Sequence, residues 1–295
     1  MKNILLLFFL VITNNNLYSQ FVISKSASDR MEGKLKKEIW GKASLRCWYE
    51  FIQYCSNEGI KEQVVDTFTL DIGLKCSMYY DQNRIMRDSA DRVEGERLRP
   101  RVKLIRQHMT KAEIDALREQ GGGSYQELLS RGETAVLYKD RKKQKIIIID
   151  GTITEMYKCI DEVPPQSWEL REDTMTILGY VSQKAETVFR GRSYVAWFAP
   201  DIPLQDGPWK LYGLPGLILQ VVVDDGLFVF KAIGIQQLES FPIAMNKDQY
   251  VTTDRKQIRK LAFKKNNKRR FLGVDGIFSM SFEADKRIFD ELEQE

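Results

Sequence analysis

Apolar side chains alternate with polar ones over residues 64–73, VVDTFTLDIG, where Val64, Phe68, Leu70 and Ile72 share one face. Val65 and Thr67 take the other, and Gly73 marks the end of what the period of two predicts as a half-buried strand. Upstream, ASLRCWYEFIQYC (43–55) is dense in aromatics and favours a strand over a helix. Downstream, ETAVLY, KIIIID and TITEMYKC are three strand-like runs, with basic KDRKKQ joining the first two. Asp150-Gly151 is a hairpin signal between the second pair. TMTILGYVS, TVFRGRSYVAWF, LILQVVV and LFVFKAIGI follow, and Asp224-Asp225-Gly226 reads as the turn between the last two.

Between these two groups of strands the pattern changes. Residues 81–106 carry alternating Arg, Asp and Glu, as expected of a solvated, partly helical excursion. Thr110 with Glu113 forms a capping box that opens KAEIDALREQ, and Gly121-Gly122-Gly123 supplies the stop. Ser124 with Glu127 repeats the box over a shorter turn. No sustained alternation of strand and helix appears, which disfavours a doubly wound nucleotide-binding fold. The expected class is α+β and β-rich: a curved antiparallel meander with a helical excursion around 81–131. A short basic helix is expected near 254–265.

The N-terminus has a pattern of its own. Lys2 precedes nine uninterrupted apolar residues, Ile4 to Ile12, and a polar stretch then leads to small Ser19. A spanning helix needs about 20 apolar residues. The run therefore reads as a secretory signal peptide, residues 1–19, cut between Ser19 and Gln20. Residues 20–295 are expected to form one exported, periplasmic or secreted domain without a transmembrane segment. Export brings Cys47, Cys55, Cys76 and Cys159 into a compartment where disulfides persist. Three complete pairings are open, and free buried thiols are the other reading. On one strand Cys47 and Cys55 would share a face yet lie too far apart to bond.

Composition adds exclusions. The chain has 295 residues, 45 basic against 41 acidic, and a single histidine, His108. The balance implies no specific nucleic-acid binding. One histidine leaves the common His-rich metal sites almost no donors, and neither a metal nor another cofactor is expected. No GxSxG, Walker or HExxH motif occurs, so no catalytic residue is assigned. Paired carboxylates, Asp201 with Asp206 or Asp224 with Asp225, leave a glycosidase-type hydrolase as a remote alternative.

Two segments remain as binding candidates. In RGRSYVAWFAPDIPLQDGPWKLYGLPGLILQ (190–220), prolines interrupt the strand pattern. Leu214-Pro215-Gly216-Leu217 fits a type II turn with Gly216 supplying the positive φ. Such a loop either packs as a crossover or presents Arg190, Arg192, Trp197, Trp209, Tyr212, Pro215 and Gly216 to a ligand or an envelope partner. Separately, residues 255–270 carry nine basic side chains and no acidic one. Lys264, Lys265, Arg269 and Arg270 are the candidates there for an anionic lipid surface or another polyanion. An acidic C-terminal stretch offers internal neutralisation instead.

The motifs in this region resemble those of the GLPGLI family of Bacteroidetes envelope proteins. GLPGLI stands at 213–218, FRGR at 189–192, YVAWF at 194–198, DIP at 201–203 and GPWK at 207–210. LDIG at 70–73, DS at 88–89, ILGY at 177–180 and QKA at 183–185 extend the resemblance over most of the chain. Ser182 stands where relatives often carry cysteine, which removes or re-routes any family disulfide there. The resemblance implies an exported protein without an assigned reaction. A non-catalytic binding or accessory role in envelope biogenesis or transport is the expectation. A carrier that holds an apolar ligand in a curved-sheet cavity is its sharper form.

Overall fold

The computed structural model describes residues 34–57, 60–82, 135–151, 155–258, 260, 270–272, 279–281 and 288–289. The expected helical segments between 83 and 131, and the signal-peptide segment, lie outside them. Among the described residues no helix is long and apolar enough to cross a membrane.

The fold is β-rich and dominated by one antiparallel sheet. Its strands are β1 (Lys37–Asn57), β2 (Ile60–Gly73), β3 (Cys76–Tyr80), β4 (Val136–Asp140), β5 (Lys145–Gly151) and β6 (Met156–Glu162). After these come β7 (Glu169–Ile177), β8 (Tyr180–Phe189), β9 (Arg192–Ala199), β10 (Leu217–Val223), β11 (Phe228–Asn246) and β12 (Tyr250–Thr253). The spatial order is β12-β6-β5-β4-β3-β2-β1-β11-β10-β9-β8-β7. Two meanders, β1 to β6 and β7 to β11, are thus stitched edge to edge by pairing of β1 with β11. Among the described strands only β12 runs parallel to its neighbour, β6. The short β13 (Arg270–Leu272) and β14 (Ser279–Ser281) pair with each other, and β15 (Ile288–Phe289) pairs with β1.

Local sequence explains the turns. Leu178 and Gly179 have φ of 51° and 84°, and Arg190 and Gly191 have 49° and 79°. Two consecutive residues at positive φ form the tight connection that suits the twist of a hairpin. ILGY and FRGR are therefore hairpin turns. Asp224–Gly226 is a single 3₁₀ turn joining β10 to β11, where the sequence pattern places a turn. Gly151 lies at the end of β5 opposite Met156, so the β5–β6 connection is longer than the Asp-Gly signal implies. Asp254 starts the helical segment at 255–258, its carboxylate accepting from the Gln257 amide at 2.7 Å. The rest of the expected basic helix lies outside the described residues, apart from helical residue 260.

Bulges turn the sheet's faces over. Leu45, Cys47 and Tyr49 pack in one buried cluster with Leu70, Ile146 and Leu217. Ala43, two residues before Leu45, instead joins Tyr138, Ile147 and Ile243 on the opposite side. The register shift between Ala43 and Leu45 against both β2 and β11 produces this switch. A second shift, between Ile218 and Gln220, sends Leu217 and Leu219 to the first cluster. Val221 and Val223 then pack with Phe198, Phe228 and Phe230 in a third cluster. Sheet curvature follows, because each bulge adds local twist.

Candidate functional site

The 190–217 block was singled out in the sequence, and it lies largely inside the molecule. After β9 the chain enters the concavity of the sheet and is held there by buried charge. Lys139 on β4 places its ammonium 2.5 Å from Asp206 Oδ1 and 2.5 Å from the Gly207 carbonyl oxygen. Arg141 donates to Asp206 Oδ2 and to the carbonyls of Gly73 and Leu74. Burial pushes the Asp206 carboxyl up, but Lys139 and Arg141 outweigh it and hold the group below the ordinary carboxylate range.

A second cluster pins the block's other end. Arg190 reaches Asp161 on β6 with two hydrogen bonds, at 2.8 and 2.7 Å. Lys210 reaches the same carboxylate at 2.9 Å. Burial opposes ionisation of Asp161, while Arg190 and then Lys210 favour it, and the net direction is again downward. Between these anchors the Tyr212 amide donates to Gln166 Oε1 at 3.0 Å, its hydroxyl donates to the Val163 carbonyl, and Trp168 Nε1 donates to the Tyr212 carbonyl at 3.1 Å.

The remaining candidates follow the same inward pattern. Arg192 is buried, paired with Asp224, with its guanidinium 5.1 Å from the Phe228 ring centre. Trp197 and Trp209 are half-buried against the core, and Trp209 meets Phe189 edge-on at 6.2 Å. Pro215 is exposed. Gly216 corrects the sequence reading: it does not take positive φ, and Gly213, at 100°, does. Gly216 is required for a different reason, because a Cβ there would sit 2.2 Å from the Ala199 carbonyl oxygen. Two backbone segments cross where a side chain has no room. Lys264, Lys265 and Arg269 lie outside the described residues, as does the Arg270 side chain.

The carboxylate pairs do not assemble a hydrolytic site among the described side chains. Asp206 is spent on Lys139 and Arg141, and Asp224 on Arg192 and the Ser193 amide at 2.9 Å. Asp201 is exposed. Among the described residues no group of three or more His, Cys, Asp or Glu is arranged to hold a metal ion. Cys47, Cys76 and Cys159 are buried and form no disulfide.

Asp201 instead borders an open groove of about 580 Å³ lined by Ser44, Leu45, Tyr180, Asp201, Ile202, Pro203, Leu204, Ile235, Gln237 and Leu238. The β1–β11 bulge creates it. Ala43 pairs with Phe241 and Leu45 with Gln237, so Leu238, Glu239 and Ser240 stand opposite Ser44 alone. Ser44 is also outside the register with β2. Tyr180 opens β8, and Asp201–Leu204 come from the first part of the inserted block. The Ile202 amide donates to Ala199 and its carbonyl accepts from Leu217 at 3.0 Å, which ties that wall to β10. Asp201 is the one charged residue of the lining. Sequence reading noted Asp201 but missed the rest of the groove. The only local cue is the polar Glu239-Ser240 pair breaking the apolar pattern of β11, which does not by itself say where a bulge will fall.

Residues 132–265 match the family described as N-glycanase peptide, N-terminal domain. Two solved structures of PNGF-II are similar to this chain, in the P21 and C2 space groups. They share 14% and 15% identity over 76% and 77% of this chain, with TM-scores of 0.46 and 0.43. The chain spans about a third of their length, 34% and 35%. No curated protein matches the chain.

Proposed function

We propose that this chain is an exported, non-catalytic binding module of the cell envelope, and that the groove beside the β1 bulge is where its ligand sits. The groove carries the reading. Its volume falls in the range of small-ligand clefts, and its open surface is apolar and polar in about equal parts. The loop forming one wall is held by buried ion pairs, so the site is preformed rather than assembled by the ligand. The apolar run Ile4–Ile12 and the GLPGLI resemblance support export to the periplasm. Native mass spectrometry of the mature protein from its own host tests the carrier form. A reproducible extra mass that vanishes on denaturation supports it, and a bare polypeptide cut after Ser19 supports export alone.

The match at 132–265 favours a second reading, an accessory module that works beside a glycan-cleaving protein. Its matched span includes Tyr180, Asp201–Leu204 and the β11 wall of the groove. Titration with an N-glycopeptide, compared with the free peptide, separates this reading from the carrier. Docking of an envelope protein on the 197–217 loop has less to offer, since the aromatic side chains there face inward. Anionic-surface binding by Lys264, Lys265, Arg269 and Arg270 is tested by vesicle flotation after reversing those four charges.

A further inference from the structure

We propose that one end of the sheet docks on an anionic lipid bilayer, with Leu74 pressed into the headgroup layer and flanking lysines on the lipid phosphates. This surface shares no residue with the groove lining and does not depend on the groove reading. Two turns build it. The β2–β3 turn carries Leu74 and Lys75, and the β4–β5 turn carries Lys142 and Lys143. Strands β3 and β4 are antiparallel with Cys76 opposite Asp140, so the two turns leave the sheet side by side. Arg141 bolts them together. Its Nη2 donates to the Gly73 and Leu74 carbonyls, and its Nη1 donates to the buried Asp206 carboxylate. Lys42 joins from β1, where its neighbour Ala43 pairs with Gly73.

Exposure and charge agree on the partner. Leu74 is 87% exposed at the apex of its turn, the most open large apolar side chain among the described residues. Lys42, Lys75 and Lys142 are exposed and make no ion pair among the described residues. Lys143 meets Asp140 at 3.3 Å and Lys145 meets Glu162 at 2.9 Å, so Lys42, Lys75, Lys142, Lys143 and Lys145 stand against two carboxylates. A protein partner would need a pocket shaped to the protruding leucine, whereas a headgroup layer yields around it. Lysine stems lie along apolar surface while their ammonium groups stay in water at the phosphates. Each lysine held near an anionic membrane strengthens attachment about fivefold. The Arg141 clamp fixes the apex before contact, so docking orders little that is not already ordered.

The test sediments the purified protein with vesicles of phosphatidylcholine alone and of phosphatidylcholine mixed with phosphatidylglycerol, at low and moderate salt. Binding is expected to the anionic vesicles only, and it should weaken as salt rises. Lys42→Gln, Lys75→Gln and Lys142→Gln together should lower the partition coefficient about a hundredfold. Lys42→Arg, Lys75→Arg and Lys142→Arg together should leave it intact. Leu74→Ser should lower it about tenfold while circular dichroism stays native. Equal binding to both vesicles, binding to neither, or anionic binding that survives the triple glutamine variant overturns the proposal. In the last case, loss of binding on reversing Lys264, Lys265, Arg269 and Arg270 assigns the contact to that run instead. An unaffected Leu74→Ser variant, or displacement by inorganic phosphate at constant ionic strength, makes this a site for soluble anions and overturns the bilayer assignment.

Discussion

Asp161 on β6 and Arg190 in the β8–β9 turn are joined by two hydrogen bonds of 2.7 and 2.8 Å. Along the sheet, β6 and β9 are eight strand positions apart. At about 4.8 Å per strand a flat sheet would separate them by roughly 38 Å. The ion pair is therefore a direct record of how far the sheet curls. Lys139 and Asp206 close the same concavity, from β4 to the segment that follows β9. The polar groups of the 190–217 block thus hold the two meanders face to face.

Breaking this clasp should cost far more than a surface ion pair. Asp161→Asn leaves Arg190 and Lys210, both nearly buried, sharing a neutral partner. The expected loss is about 3–5 kcal/mol in urea unfolding, the usual cost of orphaning a buried charge. The exposed Arg171–Glu169 pair is the control, and Glu169→Gln should change stability by less than about 1 kcal/mol.

The same carboxylates set the acid limit. Asp161 and Asp206 both have native pKa values below the ordinary carboxylate value. The unfolded state therefore binds protons first as pH falls, near pH ~4, and favours unfolding from there downward. Their contribution is complete above that range and is lost as pH drops through the lower native values. Stability should be flat from pH 7 to 5 and fall steeply below 4. In Asp161→Asn the fall should be shallower, as read from denaturation midpoints at each pH.

How much of this was legible depended on range. The β2 alternation, LILQVVV and the Asp224-Asp225-Gly226 turn are local signals, and each became the element its pattern implied. β3 was missed because CSMYY is too short and mixed to show a period. The far half of β11 was missed because Glu239-Ser240 breaks its alternation at the bulge. Lys139 was assigned to a basic connector, yet it is a buried strand residue whose partner is 67 positions away. Nothing near Lys139 signals Asp206. The groove is less legible still, because it is made where two register shifts coincide.

The two roles of glycine in these motifs predict different costs. At Gly216 a methyl group would collide with the Ala199 backbone at 2.2 Å, and neither backbone can yield as a flexible side chain would. Gly216→Ala should destabilise by about 3 kcal/mol or more. At Gly179 φ is 84° but nothing lies within 4 Å of the added carbon. Gly179→Ala should cost only the left-handed backbone penalty, about 1–2 kcal/mol. Thermal denaturation of the two variants side by side checks the ranking, and equal losses would mean that the close crossing of Gly216 over Ala199 carries no special weight.

The thiols give a probe of the same packing from inside. Cys47 is fully buried, and burial pushes its pKa up to about 12, the nearby Tyr49 hydrogen bond acting the other way. Cys76 is raised by burial as well, and its sulfur lies against Gly41, where a Cβ would approach it to 2.7 Å. Cys159 is 1% exposed in the same cluster as Cys47. Thiolate is the reactive form, so all three should resist a disulfide reagent at pH 8 in the native state. In a Cys55→Ser background, labelling should yield no adduct until urea is added and then three per chain. Rapid native labelling of any of the three would place that strand at a more open, less cooperative part of the sheet.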